Sequence, residues 1–348
     1  MDTKIVKIKE GHIDGALIQE AGAILKAGGL VAFPTETVYG LGGDALNPLS
    51  SKKIYAAKGR PSDNPLIVHI AEFGALAPIV REIPENARKL AEKFWPGPLT
   101  MILYKSDLVP YETTGGLDTV AIRMPGNRIA RELIRAAGGY VAAPSANRSG
   151  RPSPTLAKYV AQDLEGRVEM IIDGGDVKIG LESTIVDLTS DKPMVLRPGY
   201  VTRQDLLEVL PEIEEDSTLM RDDSGQAPRA PGMKYRHYAP KGDLTIVKGV
   251  EEKVLAYINA QCEKSGNKKT GVIGTDATVR RYDADVCKSV GCREDEEAVA
   301  RELYRILREF DDEDVEVIYA EAFDDSGIGQ AIMNRLLKAA GHKLVEVF

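Results

Sequence analysis

The sequence predicts two α/β domains, a larger first domain with a mixed rather than purely parallel sheet and a smaller second domain. Short apolar runs rich in β-branched residues alternate with amphipathic helical patterns over residues 1–212. An acidic and then Pro- and Gly-rich stretch interrupts this alternation at residues 213–241, and a shorter alternation fills residues 242–348. A chain of 348 residues is long enough for two hydrophobic cores.

The first domain has a strand or a helix predicted for most of its length. Strands are predicted at residues 29–33, 66–70, 99–104, 119–123, 140–143, 168–172, 184–188 and 194–197. Helices are predicted at residues 13–27, 50–57, 85–94, 127–137, 155–164 and 202–209. Asn127 has the side chain of a helix N-cap, and the pair Gly138-Gly139 predicts the end of the same helix.

The second domain repeats the alternation on a smaller scale. Strands are predicted at residues 244–249, 270–274, 315–320 and 344–348, with helices at residues 251–264, 299–310 and 327–340. This order is typical of a small Rossmann-like layered domain. The segment before it, residues 213–241, begins as a solvated linker but ends in a crowd of aromatic and cationic residues that a simple spacer does not need.

Charge is distributed unevenly along the chain. The whole chain has 45 Lys and Arg against 53 Asp and Glu, a net charge of −8. Residues 1–210 contain 25 of each and are neutral, whereas residues 211–348 contain 20 basic and 28 acidic residues. The overall acidity argues against a nucleic-acid or membrane-surface partner for the second domain, but it does not exclude an anion site in the first.

The number of cysteines and the length of the apolar runs indicate the cellular compartment. Three cysteines without a Cys-x-x-Cys pair are too few for a disulfide framework, and four scattered histidines predict no protein-held metal site. The N-terminus lacks the apolar region of a signal peptide, and no apolar run approaches the ~20 residues of a membrane span. We therefore expect a cytoplasmic protein without a membrane partner.

Polar clusters follow the predicted strands of the first domain, where open α/β sheets bind their ligands. The residues concerned are Thr35, Lys58, Arg60, Ser62, Asn64, Arg123, Ser145, Asn147, Ser183 and Arg197. A lysine and an arginine around Gly59 suit a polyphosphate, although a solvated basic loop is the alternative. Arg123, at a strand end, suits a carboxylate. Together the clusters predict a pocket for a small molecule that carries a carboxylate and phosphates.

Three residues near these clusters allow two interpretations each. His69 lies within a predicted strand, so a buried core histidine and a ligand-facing one are equally consistent with the pattern. Glu36 suits either a general base or a turn-stabilising carboxylate. Trp95 is interpreted as a core residue rather than a substrate contact.

Six motifs, PTETVYGLG, KGRPSDNPL, RMPG, PSAN, STIVDL and LRPG, resemble the YrdC-like family in order and context over about residues 10–210. The segment APGMKYRHYAP and the second domain resemble the long, two-domain form of this family. The resemblance implies a twisted mixed sheet with a concave, positively charged face. It also implies synthesis of L-threonylcarbamoyladenylate from ATP, L-threonine and bicarbonate, with release of pyrophosphate. A separate transferase would then modify the adenosine beside the anticodon of ANN-decoding tRNAs.

Under this resemblance each candidate residue receives a hypothetical role. Lys58 and Arg60 are the catalytic candidates and, with Ser62, Asn64, Ser145, Asn147 and Arg197, would bind ATP. Arg123 would bind the carboxylate of L-threonine, and Thr35, His69 and Ser183 would orient its amine and hydroxyl. Mg²⁺ would be held mainly by the ATP phosphates, with waters.

The end of the linker suggests a lid. A carbamate decomposes readily in water, so a segment that excludes solvent would help, and Tyr235, Arg236 and His237 would then contact the nucleotide. A linker docked on the surface is the alternative.

Two rival functions are consistent with the same motifs. One is a YrdC-like module that binds RNA without chemistry, and the other is a carbamoyl-transferring domain of the kind found in hydrogenase-maturation proteins. The scarcity of cysteines argues against the second rival, which normally carries zinc-finger segments. Direct contact with tRNA is left open.

Overall fold

A computed structural model describes residues 1–216, 219 and 237–348, and the described residues of the first part of the chain build a mixed eleven-stranded sheet. Its strands are β1 (Lys4–Lys7), β2 (Val31–Phe33), β3 (Gly40–Asp44), β4 (Ile67–His69), β5 (Leu99–Tyr104), β6 (Thr119–Arg123), β7 (Val141–Ala142), β8 (Met170–Asp173), β9 (Thr184–Asp187), β10 (Met194–Arg197) and β11 (Glu214–Glu215). They are ordered β1-β8-β2-β3-β7-β4-β6-β5-β9-β10-β11. The predicted mixed sheet is confirmed.

The centre of this sheet brings distant motifs together. β4 and β6 run parallel in a register that places His69 opposite Arg123. β5 runs antiparallel to β6 and parallel to β9, so the segment that begins at Thr184 lies two strands away from Arg123. An isolated bridge between Gly40 and Ser145 joins two further motifs. Strand pairing, rather than sequence proximity, therefore assembles the polar strand ends.

Seven α-helices accompany the sheet in the described part of the first domain. They are α1 (Gly15–Lys26), α2 (Pro48–Lys58), α3 (Glu85–Phe94), α4 (Tyr111–Thr114), α5 (Arg128–Ala136), α6 (Ala157–Leu164) and α7 (Arg203–Leu207). The predicted N-cap of α5 is confirmed, because Asn127 Oδ1 accepts a hydrogen bond from the Ala130 amide at 3.1 Å. Trp95 is buried, as predicted, and its indole donates to the Leu99 carbonyl at 2.7 Å.

The second sheet is entirely parallel and has five strands among the described residues. Its members are β12 (Asp243–Gly249), β13 (Thr270–Gly274), β14 (Val286–Ser289), β15 (Val317–Glu321) and β16 (Leu344–Val347), ordered β14-β13-β15-β12-β16. Helices α8 (Glu251–Lys264), α9 (Glu296–Asp312) and α10 (Gly327–Ala339) connect them. All four strands predicted in this domain are present, in a Rossmann-like alternation.

Four strands were not predicted, and β3 shows why. Its sequence GLGGD lacks the β-branched residues that mark a strand. The glycines are there because neighbouring side chains occupy the space: a Cβ on Gly42 would lie 2.9 Å from both Phe33 Cε1 and Val141 Cγ1. β1, β11 and β14 also lie outside the predicted strands, and β11 has only two residues.

The two domains share a buried polar interface. Arg308 of α9 and Arg335 of α10 have at most 1% of their surface exposed. Arg308 pairs with Asp163 in the first domain, and Arg335 pairs with Glu182. α9 also approaches the first domain so closely that a Cβ on Gly180, which has a φ of +87°, would lie 2.5 Å from the Arg301 Cα. Across the described residues, no helix combines the length and apolar character that crossing a membrane requires.

Candidate functional site

Ten of the predicted site residues line one cleft in the first domain, with an empty volume of about 680 Å³. They are Thr35, Lys58, Arg60, His69, Arg123, Ser145, Asn147, Ser183, Arg197 and His237. The strand ends and the loops after them supply most of this lining, as the rule for open α/β sheets predicts. The cleft therefore concentrates four cationic side chains around one space.

Lys58 is the last residue of α2, which ends at Gly59 in the left-handed conformation (φ 64°). Its ammonium donates to the carbonyl of Ser145 and to that of Asn147, the latter at 2.6 Å. Burial, with the neighbouring Arg60 charge, holds the pKa of Lys58 well below its usual range. Neutral carbonyls thus fix the position of this amine in the cleft without neutralising its charge.

Two arginines are held in a similar way. Arg60 Nη2 donates to the carbonyls of Pro65 (3.1 Å) and Asn64 (3.3 Å), and burial lowers the pKa of Arg60 to about 10. Arg197 donates through Nε to the Ser183 carbonyl (3.0 Å) and through Nη2 to Ser183 Oγ (3.1 Å). The Arg60 guanidinium stays charged at neutral pH because a pKa of about 10 is still well above 7. Burial also lowers the pKa of Arg197 from its usual value.

Arg123 has a carboxylate partner that the sequence did not reveal. Its Nη2 donates to Glu36 Oε1 at 2.6 Å, and its Nη1 donates to Thr37 Oγ1 at 3.0 Å. Burial alone would raise the pKa of Glu36, but Arg123 lowers it below its usual value. Of the two interpretations of Glu36, the ion pair favours the stabilising one. The assignment of Arg123 to a substrate carboxylate stays a prediction.

His69 and Thr35 are both buried and both hydrogen-bonded within the protein. The His69 Nδ1–H donates to the Ile67 carbonyl at 3.1 Å, and burial together with Arg123 lowers the pKa of His69 to about 3. Its imidazole is therefore neutral at physiological pH. Thr35 Oγ1 donates to the Val38 carbonyl at 2.6 Å and so stabilises the turn that it belongs to.

The remaining hydroxyl and amide groups fix the loops around the cleft. Ser145 Oγ donates to Asn147 Oδ1 at 2.5 Å, while Asn147 Nδ2 donates to the carbonyls of Arg148 and Arg151. Ser183 Oγ shares a 2.7 Å hydrogen bond with Thr100 Oγ1. These residues shape the cleft wall as well as lining it.

Four predicted ATP contacts are not among the cleft residues that the structure shows. Ser62 is exposed in the turn after α2, and it does not line the cleft. Asn64 is buried and also does not line the cleft, and its contact with Arg60 is through its backbone carbonyl. Tyr235 and Arg236 lie outside the described residues. ATP contacts by these four residues stay predictions.

Several lining residues were not predicted, and Glu182 is the most informative. Thr37, Tyr39, Ser149 and Tyr238 also line the cleft. Burial opposes the ionisation of Glu182, but Arg335 and Arg197 together lower its pKa to about 2. In the sequence, Glu182 directly precedes the predicted site residue Ser183, and a lone glutamate at that position gives no signal of its own.

Comparison with known proteins adds an independent line of support. A model of the Sua5/YciO/YrdC family, described as telomere recombination, matches residues 23–199, and a model described as threonylcarbamoyl-AMP synthase, C-terminal domain, matches residues 201–341. The threonylcarbamoyl-AMP synthase of Pyrococcus abyssi is 47% identical over 99% of this chain and 100% of its own length.

The chain belongs to the threonylcarbamoyl-AMP synthase family.

A second relative, the threonylcarbamoyl-AMP synthase of Bacillus subtilis, is 49% identical over 94% of both chains. The crystal structure of Pyrococcus abyssi Sua5 complexed with L-threonine matches this fold with a TM-score of 0.94 at 46% identity, covering 99% of this chain and 100% of the other. The resemblance drawn from the six motifs is confirmed, including the long, two-domain form. The chain is an enzyme of the threonylcarbamoyl-AMP synthase family.

Proposed function

We propose that this chain makes L-threonylcarbamoyladenylate from ATP, L-threonine and bicarbonate, with release of pyrophosphate. We further propose that a separate transferase uses the product to modify the adenosine next to the anticodon of ANN-decoding tRNAs. The observation that carries the proposal is the cleft, where Lys58 and Arg60 share one space with Arg123 and the neutral His69. The names of the full-length relatives support it.

The chemistry needs no protein nucleophile. The amine of threonine attacks bicarbonate-derived CO₂ and loses a proton to give a carbamate. A carbamate oxygen then attacks the α-phosphorus of ATP, and the bond from that phosphorus to the bridging oxygen breaks, releasing pyrophosphate. Both steps bring negatively charged groups close together, so the enzyme accelerates them by positioning the reactants and by neutralising their charge.

The cationic wall is suited to the triphosphate. Lys58 acts as a point charge and Arg60 as a planar fork, which are complementary ways of binding phosphate oxygens. We place Arg197, Ser145 and Asn147 beside them on the nucleotide side. Because ATP brings negative charge against Lys58, its binding should raise the lowered pKa of this amine and so favour its ammonium form.

The opposite side of the cleft is suited to an amino acid. A guanidinium has five N–H donors. Three contacts of Arg123 go to Gly97 O, Thr37 Oγ1 and Glu36 Oε1, which leaves N–H groups for a substrate carboxylate. The neutral His69, with Thr35 and Ser183, would face the amine and hydroxyl of threonine. The L-threonine complex of the Pyrococcus abyssi protein supports an amino-acid site in this family.

Mg²⁺ is proposed to enter with ATP, held by phosphate oxygens and waters. The described residues contain no group of three or more His, Cys, Asp and Glu side chains arranged to hold a metal ion. Glu182, the carboxylate that lines the cleft, already accepts hydrogen bonds at both oxygens. The donor set therefore fits a metal carried by the nucleotide, which would neutralise charge on the phosphates.

A lid formed by the end of the linker remains part of the proposal. His237 lines the cleft and its ring lies 5.5 Å from that of Tyr238, so this end of the linker reaches the site. Deleting residues 225–241 should abolish most threonine-dependent turnover. Turnover at the level of the intact chain would contradict the lid.

One assay separates the proposed function from both rivals. Pyrophosphate release from ATP is measured with and without L-threonine and bicarbonate. We expect release only when both are present, because the carbamate must form before the α-phosphate is attacked. Release that is independent of threonine, or RNA binding without any release, would contradict the proposal.

A further inference from the structure

We propose that Arg335 and Tyr304 of the second domain are positioning residues for the cleft of the first domain. They hold the Glu182 carboxylate in the interface, so that it does not pair with the cations that face the ATP phosphates. This inference rests on the proposed function, because it assumes that the cleft binds ATP. It assigns the second domain a direct part in nucleotide affinity.

The contacts around Glu182 occupy both of its oxygens. Oε1 accepts from Ser153 Oγ at 2.6 Å and from the Tyr304 hydroxyl at 3.2 Å. Oε2 accepts from Arg335 Nε at 3.0 Å and from the same Tyr304 hydroxyl at 3.0 Å. Two of the three partners therefore belong to the second domain, and they lie on different helices, α9 and α10.

Arg335 is itself fixed on both sides. Its Nη1 donates to the Pro198 carbonyl at 2.8 Å and to Asn334 Oδ1 at 3.0 Å, and none of its surface is exposed. Pro198 directly follows Arg197, so the Arg335 guanidinium contacts both Glu182 and the backbone next to Arg197. Tyr304 also stacks on the cleft residue Tyr238, with ring centroids 5.2 Å apart.

This arrangement matters because the Glu182 carboxylate carries the same negative charge as the ATP phosphates. A buried carboxylate that loses its cationic partner cannot stay unpaired at low cost, because water does not solvate it. After Arg335, Arg197 makes the strongest favourable electrostatic interaction with Glu182. Without Arg335, the carboxylate would turn towards Arg197 and compete with the ATP phosphates for it.

The test compares Arg335→Met with the double variant Arg335→Met/Glu182→Gln, both in the full chain. ATP affinity is measured by calorimetry, and the KM values for ATP and L-threonine come from pyrophosphate release. We expect Arg335→Met to weaken ATP binding by about tenfold or more, since opposite charges in a partly buried site attract strongly. The double variant should recover ATP affinity to within about threefold of the wild type, because the neutral amide no longer competes.

A merely structural role gives a different result. If Arg335 only holds the domains together, the double variant binds ATP as weakly as the single one, and that outcome overturns the inference. Equal rises in the KM for ATP and for L-threonine would also overturn it. Arg335→Lys should recover part of the affinity, because lysine restores the charge but cannot reproduce the separate Nε and Nη1 contacts to Glu182 and the Pro198 carbonyl.

Glu321→Gln is the matched control. Glu321 is also a buried carboxylate paired with an arginine, Arg293, but the pair lies within the second domain, away from the cleft. Thermal melts will show how far each variant destabilises the chain. The control should keep wild-type ATP affinity, and a loss equal to that of Arg335→Met would overturn the inference. Failure of the proposed function itself would appear separately, as no threonine-dependent pyrophosphate release from the wild type.

Discussion

The cleft of the first domain differs in charge balance from a cavity in the second domain, which lies at the ends of β12 and β15 and is lined by Tyr282, Arg293 and Glu321 among others. In the second domain, Glu321 accepts from Tyr282 at 2.9 Å and pairs with Arg293, so the charges there neutralise one another. In the cleft, Lys58 and Arg60 are held by backbone carbonyls, which leave the positive charge uncompensated. Cations oriented by neutral acceptors are available to an anionic ligand, and this feature distinguishes the two cavities.

Replacing Lys58 should produce the largest effect of this comparison. Lys58→Met removes a fixed positive charge from the region where charge develops, and we expect a loss of about 10²–10³-fold in threonine-dependent pyrophosphate release. Circular dichroism should show an unchanged fold, since the ammonium donates only to acceptors of one loop, the Ser145 and Asn147 carbonyls and Asn147 Oδ1. Lys53→Met, on the outer part of the same helix, serves as the control. Wild-type turnover in Lys58→Met would remove Lys58 from the mechanism.

Arg123 combines features of both cavities: it lines the cleft, as Lys58 does, but it is paired with a carboxylate, Glu36, as Arg293 is with Glu321. Glu36→Ala removes the carboxylate that orients the guanidinium, and the KM for L-threonine should rise by about tenfold, a loss of ~1.4 kcal/mol, with little change for ATP. Breaking this buried ion pair should also cost ~3–5 kcal/mol of folding free energy, measured by urea denaturation.

The exposed pair Arg135–Glu132 provides the comparison for Glu36→Ala. Glu132→Ala should leave both the KM for L-threonine and the free energy of unfolding near wild type, because exposed pairs contribute little. An unchanged KM in Glu36→Ala would show that Glu36 does not orient Arg123 for substrate.

The neutral His69 should make the protein less stable in mild acid. Its pKa falls from 6.5 to about 3 on folding, so the unfolded chain takes up a proton below pH 6.5 that the folded chain refuses. The destabilisation from His69 is therefore absent above pH 6.5 and grows as the pH falls towards 3, by up to ~1.4 kcal/mol per pH unit.

Urea denaturation between pH 6.5 and 4.5 avoids the depressed pKa values of Glu36 and Glu182, which act only below their ordinary value of 4.5, and a His69→Gln variant separates His69 from the lowered pKa of Lys58. His69→Gln should flatten the pH dependence in this window. A slope that does not change would mean that His69 does not carry it.

The smallest effect is expected where a cation is already paired and exposed. Arg281 forms ion pairs with Glu251 and Glu252 on the surface of the second domain. Arg281→Ala should change the KM for ATP by less than about twofold, because an exposed and compensated charge contributes little at a distance. A larger change would contradict the view that only cations with neutral partners matter for ATP.

The sequence predicted the framework of the first domain because its strands are buried and β-branched. Every strand predicted there overlaps an observed one, and the strand-end rule located the cleft from loops alone. β3 was missed because glycine carries no strand signal, although the packing of Phe33 and Val141 requires it.

The pairings of the site could not be predicted in the same way. Arg123 and Glu36 lie 87 positions apart, and Arg335 and Glu182 lie 153 apart. No periodicity or local motif encodes contacts at such separations; they follow from how the sheet and the second domain are assembled. For the same reason, the sequence indicated that Asn64 is polar but not that its backbone would face Arg60.

The interface has a consequence for how the chain is made. Synthesis proceeds from the N-terminus, and domains generally fold as units while the chain emerges. Asp163 and Glu182 are therefore made long before Arg308 and Arg335, which pair with them in the finished protein at 2.6 Å and 3.0 Å. On the ribosome, these carboxylates must stay hydrated or use temporary partners. Two helices that are translated later, α9 and α10, thus complete the buried interface of a domain that is translated earlier.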